Sequence, residues 1–114
     1  MDALARTLQG GDGMSELDKL EEYLQEHGYI YERNESHSVN PITGEDWGIN
    51  QIVVYKNRRR FFDAICNHGS YGYEQGLLEI YGDIVDVHKD HDSVVGWLTA
   101  KNVIERMEKH GTGG

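Results

Sequence analysis

Apolar and polar positions follow two rhythms along this chain, and the changes of rhythm mark its elements. In "SELDKLEEYLQEHG", Leu17, Leu20 and Leu24 recur at helical spacing. Ser15 stands as the cap, Asp18 completes a short form of the capping box, and Gly28 is placed to end the helix. "YIYER" reads as a strand, followed by the polar loop "NESHSVNPITGEDWG" with the only proline. "INQIVVYK" and "RRFFDAICN" are β-rich runs that meet at Asn57–Arg58, a hairpin signal.

On a helix, "YEQGLLEIY" gathers Tyr73, Leu77, Ile80 and Tyr81 on one side and Gln75 and Glu79 on the other. Strand alternation mixes these sets, so the pattern predicts a helix. "GDIVDVHKDHDSVVGW" reads as a polar loop with short extended ends. In "TAKNVIERMEKH", Thr99 caps a last helix, Gly111 stops it, and Ala100, Val103, Ile104 and Met107 form its apolar stripe. Leu98 and Val103 occupy staple positions, and Lys101, Glu105 and Lys109 alternate in sign at i,i+4.

The predicted order is α-β-β-β-α-α: an α+β fold, with a three-stranded antiparallel sheet covered on one face by helices. A chain of 114 residues supports one such domain, expected over residues 14–111. Residues 1–13, ending in "QGGDG", read as a flexible leader, and 112–114 as a flexible tail.

Charge narrows the function classes. Twenty acidic and 11 basic side chains give a formal net charge of −9. That disfavours direct contact with nucleic acid, which needs clustered Lys and Arg, and docking on anionic membranes. A basic protein is the electrostatically favoured partner, nucleic-acid-binding enzymes among them. "KNRRR" at 56–60 is the one basic cluster, suited to blunting a hairpin tip or pairing with the acidic surface. The single cysteine permits no internal disulfide, and no apolar run approaches transmembrane length. A cytoplasmic location is the expectation.

The acids of the first helix are the leading interaction candidates. Asp18, Glu22 and Glu26 fall at i, i+4 and i+8, opposite the leucine stripe. Like charges at that spacing cost a few tenths of a kcal/mol per pair, and Glu26 opposes the helix dipole. A basic partner would relieve both costs. The bland reading is a solvated face, and the costs are small enough to allow it.

Two chemical alternatives centre on "AICNHGSYGYEQG". Cys66, His68, His88 and His91 supply borderline and soft donors for zinc or nickel, although their spacing matches no zinc template. A cysteine-dependent enzyme would use Cys66 with His68 as base. If residues 60–68 form one strand, Arg60, Phe62, Ala64, Cys66 and His68 share a face, but Cys66 and His68 stand about 7 Å apart. Direct activation needs hydrogen-bond reach, so buried packing is the favoured role of Cys66. The glycines at 69, 72 and 76 lack the lysine and spacing of a phosphate loop and read as turn residues. No cofactor is implied.

The runs "FFDAICNHGSYGYEQGLLEIYGDIV" and "DSVVGWLTAKNVIERM" resemble a group of small proteins of no assigned activity carried on phages and integrative elements of Gram-positive gut bacteria. The likeness spans roughly residues 15–110 and implies a mobile-element setting. It brings no catalytic residue with it. The α-β-β-β-α-α order and the acidity are also similar to some small anti-CRISPR proteins that imitate DNA, a likeness of architecture alone.

Overall fold

Helix α1 (Glu16–Glu26) is specified by its ends as much as by its stripe. The Ser15 hydroxyl accepts from the Asp18 N–H (3.1 Å) and the Asp18 carboxylate accepts from the Ser15 N–H (3.2 Å), a complete capping box. At the other end Gly28 adopts φ +71°, Gly28 N–H donates to Gln25 and Tyr29 N–H to Leu24, closing the helix in a Schellman turn. Leu17, Leu20 and Leu24 are buried as the spacing requires.

The computed structural model describes residues 14–85 and 93–113. Five strands follow α1: β1 (Ile30–Glu35), β2 (Asn50–Lys56), β3 (Arg59–Ile65), β4 (Leu78–Gly82) and β5 (Val94–Leu98). They pair antiparallel in the order β1-β2-β3-β4-β5. Helix α2 (Ala100–Gly113) closes the chain. Thr99 caps it as expected, in a reciprocal box with Asn102.

The architecture is α+β, but the sheet has five strands instead of three. The segment predicted as a helix at 73–81 is one 3-10 turn, Tyr73–Gln75, followed by β4. Gly76 lies at φ +74°, which ends the turn, and the free edge of β3 then captures "LEIYG". Leu78 and Ile80 point into the core and Glu79 and Tyr81 point out, the alternation of a strand. β5 occupies the end of the stretch expected to be a polar loop with short extended ends, and runs on to Leu98. The third strand stops at Ile65, short of Cys66 and His68. Helix α2 continues through Gly111 to Gly113. The expected leader, residues 1–13, lies outside the described residues.

Both helices lie on one face of the sheet. In a five-strand meander β1 and β5 run the same way, so a helix entering β1 and a helix leaving β5 run parallel. The contacts agree: Glu16 Oε1 accepts from the Ala100 N–H (2.7 Å), placing a carboxylate at the N-terminus of α2, and Tyr23 reaches Glu108 near the far end. Between the layers sit Leu17, Leu20, Leu24, Ile52, Val54, Phe62, Ala64, Leu78, Ile80, Val103 and Met107. A bulge in β3, where Phe62 faces Val54 but Arg60 faces Tyr55, leaves Phe61 as the extra residue and buries both phenylalanines.

The β2–β3 hairpin turns on Asn57 (φ 55°) and Arg58 (φ 68°), a two-residue loop with both dihedrals left-handed. Asparagine adopts this readily, and arginine does so at a cost. Arg58→Gly is therefore expected to stabilise the domain by about 0.5–1 kcal/mol, read as a rise of a few degrees in Tm. An unchanged or lower Tm would show that the turn is not strained at Arg58.

Candidate protein-interaction surfaces

The acids of α1 divide into two groups. Asp18 has intramolecular work: besides the capping box, its Oδ1 receives Arg33 Nη1 at 3.1 Å, and the same guanidinium reaches Glu21 Oε1 at 2.9 Å. Partial burial raises the Asp18 carboxyl, yet the Ser15 N–H and hydroxyl and the Arg33 charge outweigh it and hold it below the ordinary value. Glu22 and Glu26 are exposed and have no ion-pair partner among the described residues. The last turn of α1 contains no Lys or Arg, and at its end His27 Nδ1 meets the Tyr23 carbonyl at 2.9 Å. The outward acidic ridge is thus Glu22 and Glu26, with Asp18 anchored to β1.

Three of the four charges in the basic cluster are engaged within the chain. Lys56 Nζ lies 4.9 Å from the Phe61 ring centroid, Arg59 pairs with Asp83 and Arg60 with Asp63, both at 3.3 Å. Such exposed pairs contribute little stability, but they use the positive charge locally.

Cys66 and His68 lie along one cleft of about 160 Å³, lined also by His37, Asp46, Asn67 and Tyr73. Cys66 follows directly on β3, donates its N–H to Asn50, and packs its half-buried side chain against the core. Burial pushes its thiol up, away from the reactive thiolate. His68 has left the strand for the turn at 67–70, where its ring lies 3.5 Å from the Trp47 ring centroid and its Nε2 is 3.6 Å from Glu45. The expected shared strand face therefore ends before His68, because the chain bends at Asn67. Its Nδ1 is buried and has no hydrogen-bond partner among the described residues. Across the cleft His37 Nδ1 meets Asp46 Oδ2 at 2.6 Å. That contact, with the Ser38 and Gly48 N–H groups, lowers the Asp46 carboxyl to about 2, and Asp46 in turn raises His37. Among the described residues no three His, Cys, Asp or Glu side chains converge to hold a metal ion. His88 and His91, the other two donors of the metal alternative, lie outside the described residues.

A third surface escapes a reading of the sequence. The face of the sheet away from the helices has two halves. Over β1–β3 it is a ladder of side-chain bonds, Asn34 to Gln51 (3.1 Å), Gln51 to Asp63 (2.9 Å) and Arg60 to Asp63 (3.3 Å). Over β4–β5 it is aromatic. Tyr71 (49% exposed), Tyr81 and Trp97 (both 58% exposed) project there. Tyr71 and Trp97 stack with ring centroids 5.1 Å apart and planes 14° apart. Glu79 Oε1 accepts from the Tyr71 N–H at 2.8 Å.

A second bulge builds this cluster. Leu78 faces Leu98 and Ile80 faces Val95, so Gly96 and Trp97 together oppose Glu79. Trp97 takes φ +56°, a conformation that costs a non-glycine residue about 1–2 kcal/mol. Gly96 has no room for a side chain, since a Cβ would come within 2.2 Å of Tyr71 Cβ. The residue whose backbone asks for glycine is thus the tryptophan, exposed and strained. The only signal of it in the sequence is a Trp beside a Gly in "VVGWL".

Among the described residues no helix is long and apolar enough to cross a membrane. No family model, no curated protein and no solved structure matches the chain.

Proposed function

We propose that the protein is a non-catalytic, acidic interaction protein of a phage or mobile element that occupies a basic surface on a partner protein, in the manner of a nucleic-acid mimic. The observation that carries this reading is the fate of the charges. Arg33, Arg59 and Arg60 are each bound to carboxylates of the same chain, while Glu22 and Glu26 project from α1 with no ion-pair partner among the described residues. With a net charge of −9, an approaching cationic surface meets few competing cations. Cys66, half-buried and with its thiol pushed up, offers no activated nucleophile to support the enzymatic alternative.

The test uses purified basic nucleic-acid-binding proteins on a biosensor surface, with salt varied about the physiological 0.15 M. Saturable binding that weakens with salt and is displaced by duplex DNA is expected. Glu22→Lys combined with Glu26→Lys should weaken it about tenfold, since both charges change sign at the interface. Asp18 is left intact, because its loss would also open the α1 cap. Absence of salt-sensitive binding to every basic protein tried would end the proposal.

A further inference from the structure

We infer that the Tyr71–Trp97–Glu79 cluster on the open face of the sheet is a seat for an arginine side chain presented by a basic protein partner. The inference rests on the acidic-interaction reading and says where recognition of such a partner is concentrated. Three observations converge. The Tyr71 and Trp97 rings are stacked, their planes nearly parallel, and both residues are about half exposed, which makes an aromatic platform that the core does not use. Glu79 lies directly across the ladder from Gly96 and Trp97, with Oε1 fixed by the Tyr71 N–H. Its other oxygen makes no hydrogen bond or ion pair among the described residues. The two cations on the neighbouring strand β3 are engaged, Arg59 with Asp83 and Arg60 with Asp63.

An aromatic face beside an unpaired carboxylate recognises a cation, by ring–cation attraction on one side and ion pairing on the other. Arginine fits better than lysine, because a planar guanidinium stacks on the ring while forking onto the carboxylate. A phosphate ligand is opposed by Glu79 and by the overall charge. A second copy of this chain would bring a like-charged face against Glu79. The cluster is also held in place: the bulge fixes Trp97, its N–H donates to the Tyr71 carbonyl at 3.3 Å, and Gly96 lets Tyr71 lie against the strand. A platform that does not reorganise on binding loses little entropy there.

The probe is a short, end-blocked peptide carrying several arginines, compared with lysine and citrulline versions of the same length. Trp47→Phe leaves Trp97 as the single tryptophan, so its fluorescence and indole N–H resonance report on the cluster. The arginine peptide should shift both signals saturably, the lysine peptide should bind at least about threefold more weakly, and the neutral citrulline peptide should not saturate. Glu79→Gln should weaken arginine binding about tenfold. Trp97→Ala should remove most of it, and Trp97→Phe should keep part of it, with cooperative thermal unfolding confirming that each variant is folded. Equal binding of citrulline and arginine peptides, or indifference to Glu79→Gln, would overturn the inference. So would Trp97-dependent dimerisation in sedimentation, which would assign the cluster to a second copy. If basic partners bind through Glu22 and Glu26 while the Trp97 signals stay still, this inference falls and the broader reading stands. If no basic ligand binds anywhere, both fall.

Discussion

Phe62→Ala is expected to cost about 3–5 kcal/mol, the largest loss of any single truncation in this fold. Phe62 is the largest side chain among the fully buried residues, 1% exposed. It occupies the central strand, facing Val54 on β2 and Gly82 on β4, with the Phe61 ring edge-on at 5.4 Å. Truncation removes apolar area and leaves a cavity between the sheet and the helices, whose close-packed side chains collapse onto it only in part. A domain of this size has about 5–15 kcal/mol of stability in all, so the variant is expected near the edge of folding. Urea denaturation measures it: the midpoint should fall sharply while the exposed Tyr81→Ala control stays within about 1 kcal/mol of the parent. A loss below about 1 kcal/mol for Phe62→Ala would mean that the sheet does not pack on the helices through this residue.

The elements legible in the sequence are those whose signals are local. The α1 capping box spans four residues and its stop six, and both are present as read. The Thr99 cap, the α2 stripe and the β2–β3 turn belong to the same class. β4 and β5 are different. "LLEIY" carries both periods, and its choice of strand is made by β3, whose second edge lacks a partner until β4 arrives. β5 hides its alternation altogether. The bulge at Gly96–Trp97 turns Val95 and Leu98 to the same side although they are three apart, so the period of two never shows.

The candidate surfaces follow the same division. Glu22 and Glu26 were visible as a helical ridge because helix geometry alone puts them there. That Asp18 is drawn to Arg33, 15 residues away, depends on α1 crossing β1. The Tyr71–Glu79–Trp97 cluster needs a turn, a strand and a bulge brought together, and none of the three declares the others. Spacing pairs Cys66 with His68, but the bend at Asn67 leaves Cys66 half-buried against the core and sets His68 against Trp47.

Gly82→Ala tests the close approach of β3 and β4, with an expected loss of about 2–5 kcal/mol from strain and overpacking together. Gly82 has φ +134°, and a Cβ there would lie 2.5 Å from Phe62 Cα and 2.6 Å from the Phe61 carbonyl oxygen. Both are backbone atoms, so no rotamer change relieves the contact. β3 and β4 would have to part at the Phe62–Gly82 pair, taking with them the bond from Asp83 N–H to Phe61, 2.8 Å long. The double variant Phe62→Ala/Gly82→Ala separates this cause from simple crowding by the ring. Alanine at 62 keeps Cα and Cβ, the atoms that block position 82, so the second substitution should cost as much in the Phe62→Ala background as alone. Where that background lacks stability to lose, the comparison is made in Arg58→Gly. Rescue of Gly82→Ala by Phe62→Ala would locate the clash in the phenyl ring. The strands would then have slack at Gly82, and the close β3–β4 approach described here would be wrong.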